Sequence, residues 1–114
     1  MSPDVDAFLP LKPDAFEMLL ALEDGELHGY ALLKVLDAHG MTLAASLLYR
    51  KLRRMMEDGL VEESDRRPKP DEDARRRYYR LTALGRAVVR AEAARVVDLS
   101  RKRQVRRLAG GRHA

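Results

Sequence analysis

The segment SLLYRKLRRMMEDGLV, residues 46–61, separates apolar from basic side chains cleanly. Its apolar residues recur at helical spacing: Leu48, Leu52, Met55 and Met56. When the segment is projected as a helix at about 100° per residue, the opposite face carries Ser46, Arg50, Arg53, Arg54 and Glu57. Tyr49 falls at the border and Lys51 lies off the centre of the basic face. The pattern predicts a helix over 43–58 that buries one face and exposes a basic one.

Two shorter helices are predicted before this segment. The first covers 14–23, where Pro13 suits a helix start and Asp14 with Glu17 resembles a capping box. The second covers 28–39 and ends before Gly40. Because only a few residues, GMTLA, separate the second helix from the third, we expect a helix-turn-helix pair.

After Gly59 the pattern changes from helix to strand. LVEES and RRYYRL are both short strand candidates, and DRRPKPDEDAR between them has too few apolar residues to enter a core. We therefore expect a hairpin with an exposed, mobile tip. Since Tyr78 and Tyr79 alternate along their strand, one is expected to pack and the other to face outwards. Thr82 is a candidate N-cap for one long helix over 83–109.

This order of elements predicts a mainly α fold with a small β-hairpin, a winged helix-turn-helix domain followed by a long C-terminal dimerisation helix. The expected organisation is a flexible N-terminal arm over 1–12, a DNA-binding domain over 13–82, the dimerisation helix over 83–109 and a flexible tail over 110–114.

The charge distribution favours a polyanionic partner. Residues 1–40 contain eight acids and two bases, a net charge of −6, whereas residues 41–114 contain ten acids and twenty bases, a net charge of +10. In a helix-turn-helix the second helix enters the major groove, and basic loops contact the DNA backbone. The candidate DNA-binding residues are Ser46, Tyr49, Arg50, Arg53, Arg54, Arg66, Arg67, Lys69, Arg76 and Arg77.

Three stretches together resemble the PadR family of bacterial transcriptional regulators: LHGYALLKVL at 27–36, SLLYRKLRRMMEDGLVE at 46–62 and RRYYRLTALGR at 76–86. The resemblance covers residues 14 to about 96 and implies a homodimeric repressor that binds a palindromic operator and is often released by a small molecule. Ser46, Leu48 and Tyr49 match the family pattern at the start of the recognition helix, whereas Leu47 replaces a threonine. The single C-terminal helix resembles the short type of the family.

Dimerisation is expected on the long helix through Val88, Val89, Val96 and Leu99. The basic run RKRQVRR, residues 101–107, is interpreted as a solvated helix end rather than a second DNA contact. Nothing from residue 80 onwards is aromatic, which disfavours a large pocket for stacked ligands. His28, Tyr30 and Phe16 are candidates for a small effector site.

Several classes of protein are excluded or disfavoured by composition. The chain has no cysteine, so disulfides, thiolate metal sites and cysteine catalysis are excluded. No nucleophile and base pair, phosphate loop or metal-ligand spacing is present, so we expect no enzyme, no metal and no cofactor. Without a signal peptide or a long apolar run, a cytoplasmic protein is expected. The alternative to an operator-binding regulator is a winged-helix module that binds protein or RNA.

Overall fold

The computed structural model describes residues 3–73 and 75–110. Its helices are α1 (Pro3–Asp6), α2 (Pro13–Glu23), α3 (Gly29–Ala38), α4 (Ala45–Glu57), α5 (Ala83–Arg101) and α6 (Arg103–Gly110). Its strands are β1 (Leu27–His28), β2 (Val61–Glu63) and β3 (Tyr78–Leu81). This architecture, mainly helical with a small antiparallel sheet, confirms the predicted winged helix-turn-helix.

The sheet has three strands in the order β1-β3-β2, rather than the two strands predicted. β3 is central and antiparallel to both neighbours, so Tyr79 is opposite Leu27 on one side and Glu63 on the other. β1 has only two residues, too few to show an alternating pattern in the sequence. Through β1, the wing hairpin is hydrogen-bonded to the entry of α3.

Side chains start two of the helices. The Thr82 hydroxyl accepts a hydrogen bond from the Gly85 amide at 2.9 Å, as the sequence predicted. His28 Nδ1 accepts from the Ala31 amide at 3.2 Å and caps α3. The expected capping box at α2 does not form, because the N-cap is Lys12 and Asp14 already lies in the first turn.

One apolar core joins α2, α3, α4, the sheet and the first half of α5. Its fully buried members include Met18, Leu19, Leu32, Leu36, Leu48, Leu52 and Val88. Tyr78 and Tyr79 are both buried, so the expectation that one faces outwards is wrong. The ring of Tyr78 is covered by His28, whose centroid is 5.4 Å away, and by the wing loop, which strand alternation alone does not reveal.

The N-terminal residues are not a loose arm over their described part. Val5 of α1 is 5% exposed, and Phe8, Leu9 and Leu11 pack against the core. The buried carboxylate of Glu92 on α5 accepts hydrogen bonds from the Leu11 amide at 3.3 Å and from Arg95 at 2.7 and 2.8 Å. A charged residue 81 positions further along the chain therefore anchors the segment, an interaction that local sequence patterns do not show.

The predicted helix over 83–109 is interrupted. α5 ends at Arg101, Lys102 adopts extended angles with φ −65° and ψ 134°, and α6 then runs to Gly110. Neither proline nor glycine marks the break, so the sequence gives no signal for it. All residues from Val96 to Gly110 are exposed. The predicted tail at 111–114 lies outside the described residues.

Gly85 is expected to tolerate no side chain. A Cβ atom at this position would lie 2.0 Å from the Leu60 carbonyl oxygen, which belongs to the backbone and cannot rotate away. We expect Gly85→Ala to lower the free energy of unfolding by about 1–3 kcal/mol or more, measured by urea denaturation. Gly110→Ala is the control, because a Cβ there meets nothing within 4 Å. Equal stability of the two variants would contradict the close approach.

The Glu92 anchor predicts an acid-sensitive contribution to stability. Hydrogen bonds from Arg95, and to a smaller extent from the Leu11 amide, lower the pKa of Glu92 despite its burial. Its contribution is therefore complete above the unfolded-state pKa, about 4.3, and is lost as the pH falls through the lower folded-state value.

We expect Glu92→Gln to lower the free energy of unfolding by about 1–3 kcal/mol at pH 7, with a smaller difference from the parent protein below pH 4. Urea unfolding across this pH range measures both effects. Glu57→Gln on the exposed part of α4 is the matched control. A loss that does not depend on pH would contradict the role of the Glu92 charge.

Candidate nucleic-acid interface

The amphipathic helix α4 presents its predicted polar face to solvent. Leu48, Leu52 and Met55 are buried on its inner side. On the outer side Ser46, Tyr49, Arg50, Arg53 and Arg54 are all exposed. The apolar spacing of the sequence therefore placed this helix correctly, and the basic face is available to a partner.

The basic residues of α4 differ in whether they form ion pairs within the chain. Lys51 donates to the Asp14 carboxylate of α2, and this contact lowers the pKa of Asp14. Arg54 lies 3.5 Å from Asp58 on a largely exposed surface. Among the described residues, Arg50 and Arg53 have no ion-pair partner. These two guanidinium groups are therefore the ones most available to an anion.

Tyr49 is positioned by a glycine that the sequence interpretation did not single out. Its hydroxyl lies against Gly29 so closely that a Cβ at position 29 would be 2.2 Å from the Tyr49 oxygen. Burial, together with the nearby Tyr49, raises the pKa of Tyr79. Tyr49 nevertheless remains 44% exposed, so one edge of its ring packs between α3 and β3 while the other faces solvent.

The wing loop is organised around Glu72. The Glu72 carboxylate accepts from the Lys69 amide at 2.8 Å, from the Arg76 guanidinium at 2.8 Å and from the Tyr78 hydroxyl at 3.2 Å. The Lys69 amide is the main cause of the lowered pKa of Glu72, and Tyr78 and Arg76 add to it. The composition of the loop showed its charge but not this pairing.

The five predicted DNA-binding residues of the wing fall into two groups. Three contact other side chains: Arg66 lies over the Tyr78 ring at 4.3 Å, Arg76 pairs with Glu72, and Arg77 lies 3.5 Å from Glu63. The side chains of Arg67 and Lys69 are exposed and form no ion pair within the described chain. The first group shapes the wing, and the second is free to contact a partner.

A cleft of about 500 Å³ brings the two predicted regions together. It is lined by Arg53 and Tyr49 from α4, by His28, Gly29 and Tyr30 at the start of α3, and by Asp73, Arg75, Arg76, Arg77 and Tyr79 from the wing. Four arginines therefore surround one concave surface next to the recognition helix. The sequence prediction omitted Arg75, although it is the first of three consecutive arginines of which the other two, Arg76 and Arg77, were predicted.

The three candidate effector residues do not lie together in the structure. His28 and Tyr30 line this cleft, whereas Phe16 packs against the core. Burial, and secondarily the charge of Arg76, lower the pKa of His28. This shift favours the neutral imidazole that caps α3 through Nδ1.

The four predicted dimerisation residues fall into a buried pair and an exposed pair. Val88 and Val89 are 0% and 2% exposed within the chain's own core, so their assignment to a dimer interface is wrong. They lie on the first half of α5, which packs against α2. Val96 and Leu99 are 39% and 38% exposed on the second half. All four are apolar residues of one predicted helix, and only the three-dimensional packing distinguishes the buried pair from the exposed pair.

Residues 3–73 and 75–110 contain neither of two other kinds of site. No cluster of three or more histidine or acidic side chains there has an arrangement that holds a metal ion. No described helix combines the length and apolar character required to span a membrane.

Solved structures share this architecture. RosR of H. salinarum, in the hsRosR-S4 complex, superposes with a TM-score of 0.69 at 20% identity, covering 93% of this chain and 89% of that one. A PadR family transcriptional regulator from Eggerthella lenta is 32% identical, with a TM-score of 0.57 and 72% of each chain covered.

Bacillus subtilis PadR in complex with operator DNA has a TM-score of 0.60 at 20% identity, covering 72% of this chain and 46% of that one. No curated protein matches the sequence significantly. The model of the transcriptional regulator PadR-like family matches residues 18–91, which include α3, α4, the wing and the first half of α5. With this match over most of its length, the chain belongs to the PadR-like family of transcriptional regulators.

Proposed function

We propose that this protein is a homodimeric repressor that binds a palindromic operator. In this proposal α4 enters the major groove, where Arg50 and Arg53 contact phosphates or guanine edges. Arg67 and Lys69 of the wing contact the flanking backbone. Repression then follows from occupation of DNA that RNA polymerase needs.

The observation that carries the proposal is the basic cleft shared by α4 and the wing. Arg53 lies on the recognition helix and Arg75, Arg76 and Arg77 on the wing, yet all four line one concavity. Arg75, Arg76 and Arg77 each pair with a carboxylate of the wing. Among the described residues, Arg53 therefore supplies the unpaired cation of this surface, whose arginines match a DNA groove flanked by phosphates. The structure of Bacillus subtilis PadR with operator DNA supports the same assignment by fold.

In this proposal, different parts of the chain bind DNA and form the dimer. Residues 13–82 form the DNA-binding unit, and the exposed half of α5 with α6 joins two protomers. Val96, Val97 and Leu99 are large apolar side chains exposed on this half of α5. Two-fold symmetry would place the recognition helices in half-sites about 34 Å apart, one turn of DNA.

Release by a small molecule completes the proposal. His28 and Tyr30 line the cleft beside Arg53, so a ligand held there would occupy the surface that we assign to DNA. An inducer of this kind would compete with the operator directly.

DNA binding is tested by fluorescence anisotropy with the region upstream of the protein's own gene. We expect the logarithm of the affinity to fall linearly with the logarithm of salt concentration, with a slope of about 0.9 per phosphate neutralised. Arg50→Ala and Arg53→Ala should each lower the affinity, and loss of a phosphate contact should reduce the slope by about one.

Two controls separate binding from folding. Arg90→Ala, an exposed arginine on α5, should leave both the affinity and the slope unchanged. Leu52→Ala should lower the free energy of unfolding by about 2–5 kcal/mol, since Leu52 is buried, whereas Arg53→Ala should not. Binding that is indifferent to salt and to both arginines would refute the assignment of α4.

Selection from a random DNA pool tests the palindrome and the alternative function together. We expect recovery of an inverted repeat whose half-sites are centred one helical turn apart. Recovery of no defined sequence would favour the module that binds protein or RNA. Recovery of a single half-site would contradict the proposed dimeric arrangement while retaining DNA binding.

A further inference from the structure

α6 is an amphipathic helix without a partner in the described chain. Val105 and Leu108 lie three positions apart, so they share one face, and they are 39% and 74% exposed. The rest of the helix is strongly basic: Lys102, Arg103, Arg106 and Arg107 follow Arg101, with no acid after Asp98. None of these cations forms an ion pair within the described residues.

A groove of opposite character lies on the outer side of α2 and α3. Its floor is formed by Leu20, Ala21, Leu27 and Val35, with Leu20 38% exposed. Its rim carries Glu17, Glu23 and Asp24, and His39 is the remaining lining residue. Glu17 and Asp24 lie about one helical turn on either side of Leu20, so they bracket the apolar floor with negative charge.

From these two surfaces we infer that α6 of one protomer docks into the acidic groove between α2 and α3 of a second copy. Val105 and Leu108 would cover Leu20 and Val35, and Arg106 and Arg107 would face Glu17 and Asp24. Charge complementarity supports a second copy of the chain as the partner. The basic C-terminal end of one protomer would then contact the acidic N-terminal third of the other.

The break at Lys102 supports docking in trans. A continuous helix would hold α6 in line with α5, whereas the extended angles at Lys102 give it a separate direction. No residue of α6 is buried against its own domain. The inference rests on the dimer of the proposed function and specifies which surfaces form it.

A charge exchange between two full-length variants tests this inference without DNA. One variant carries Arg106→Glu and Arg107→Glu on α6, and the other carries Glu17→Lys and Asp24→Lys in the groove. Each homodimer then opposes like charges, whereas the mixed dimer pairs opposite charges at both contacts. We expect each variant alone to show a dimer Kd raised about tenfold or more, and an equimolar mixture to restore association, measured by sedimentation equilibrium.

Two further variants guard against a general effect on folding. Leu108→Ser should weaken the dimer but leave the unfolding curve unchanged at protein concentrations below the dimer Kd, because Leu108 is 74% exposed in its own chain. Arg90→Ser, at an exposed position on the first half of α5 outside both surfaces, should leave the dimer Kd unchanged.

The outcomes distinguish the inference from the proposed function. A monomeric parent protein would overturn both the dimer and the docking of α6. A dimeric parent with indifferent variants, or variants that weaken the dimer but are not rescued by mixing, would overturn the docking alone. Docking of α6 onto its own groove would also fail to give rescue. Operator binding is measured separately, so none of these results depends on it.

Discussion

Burial of the apolar face of α4 is the constraint on which the rest of the structure depends. Leu48 and Leu52 are 0% and 1% exposed, and they hold the helix against the core with its arginines outwards. The free energy of that burial sets the rotation of the helix, because a turn about its axis would bury guanidinium groups without partners. Orientation of Arg50 and Arg53 is therefore a consequence of hydrophobic packing on the opposite side.

Two close backbone approaches complete the placement of the recognition surface. Gly29 allows Tyr49 to lie against the start of α3, and Gly85 allows α5 to approach the Leu60 carbonyl. The first approach joins the two helices of the helix-turn-helix, and the second joins the wing to the C-terminal helix. Both positions are recognisable in the sequence only as glycines, since the atoms they approach are distant along the chain.

Buried and half-buried carboxylates have an organising role in this basic protein. The Glu72 carboxylate accepts hydrogen bonds from the Lys69 amide, Arg76 and Tyr78 within the wing. Glu92 connects α5 to the N-terminal segment. Part of the positive charge of the chain is therefore paired with these carboxylates within the molecule. The cations left over are concentrated on the face of α4, at Arg67 and Lys69, and on α6, which is why a moderate net charge of +4 still produces strongly basic surfaces.

The sequence by itself determined α2, α3 and α4, the exposed basic face of α4 and the Thr82 cap, because helical periodicity and capping depend on residues within one or two turns. Tertiary structure alone decided that Val88 and Val89 are core while Val96 and Leu99 are exposed, since all four are apolar residues of one predicted helix. It also decided that the N-terminal segment is held and that β1 joins the sheet. These features arise from contacts between residues far apart in the chain, which no local pattern encodes.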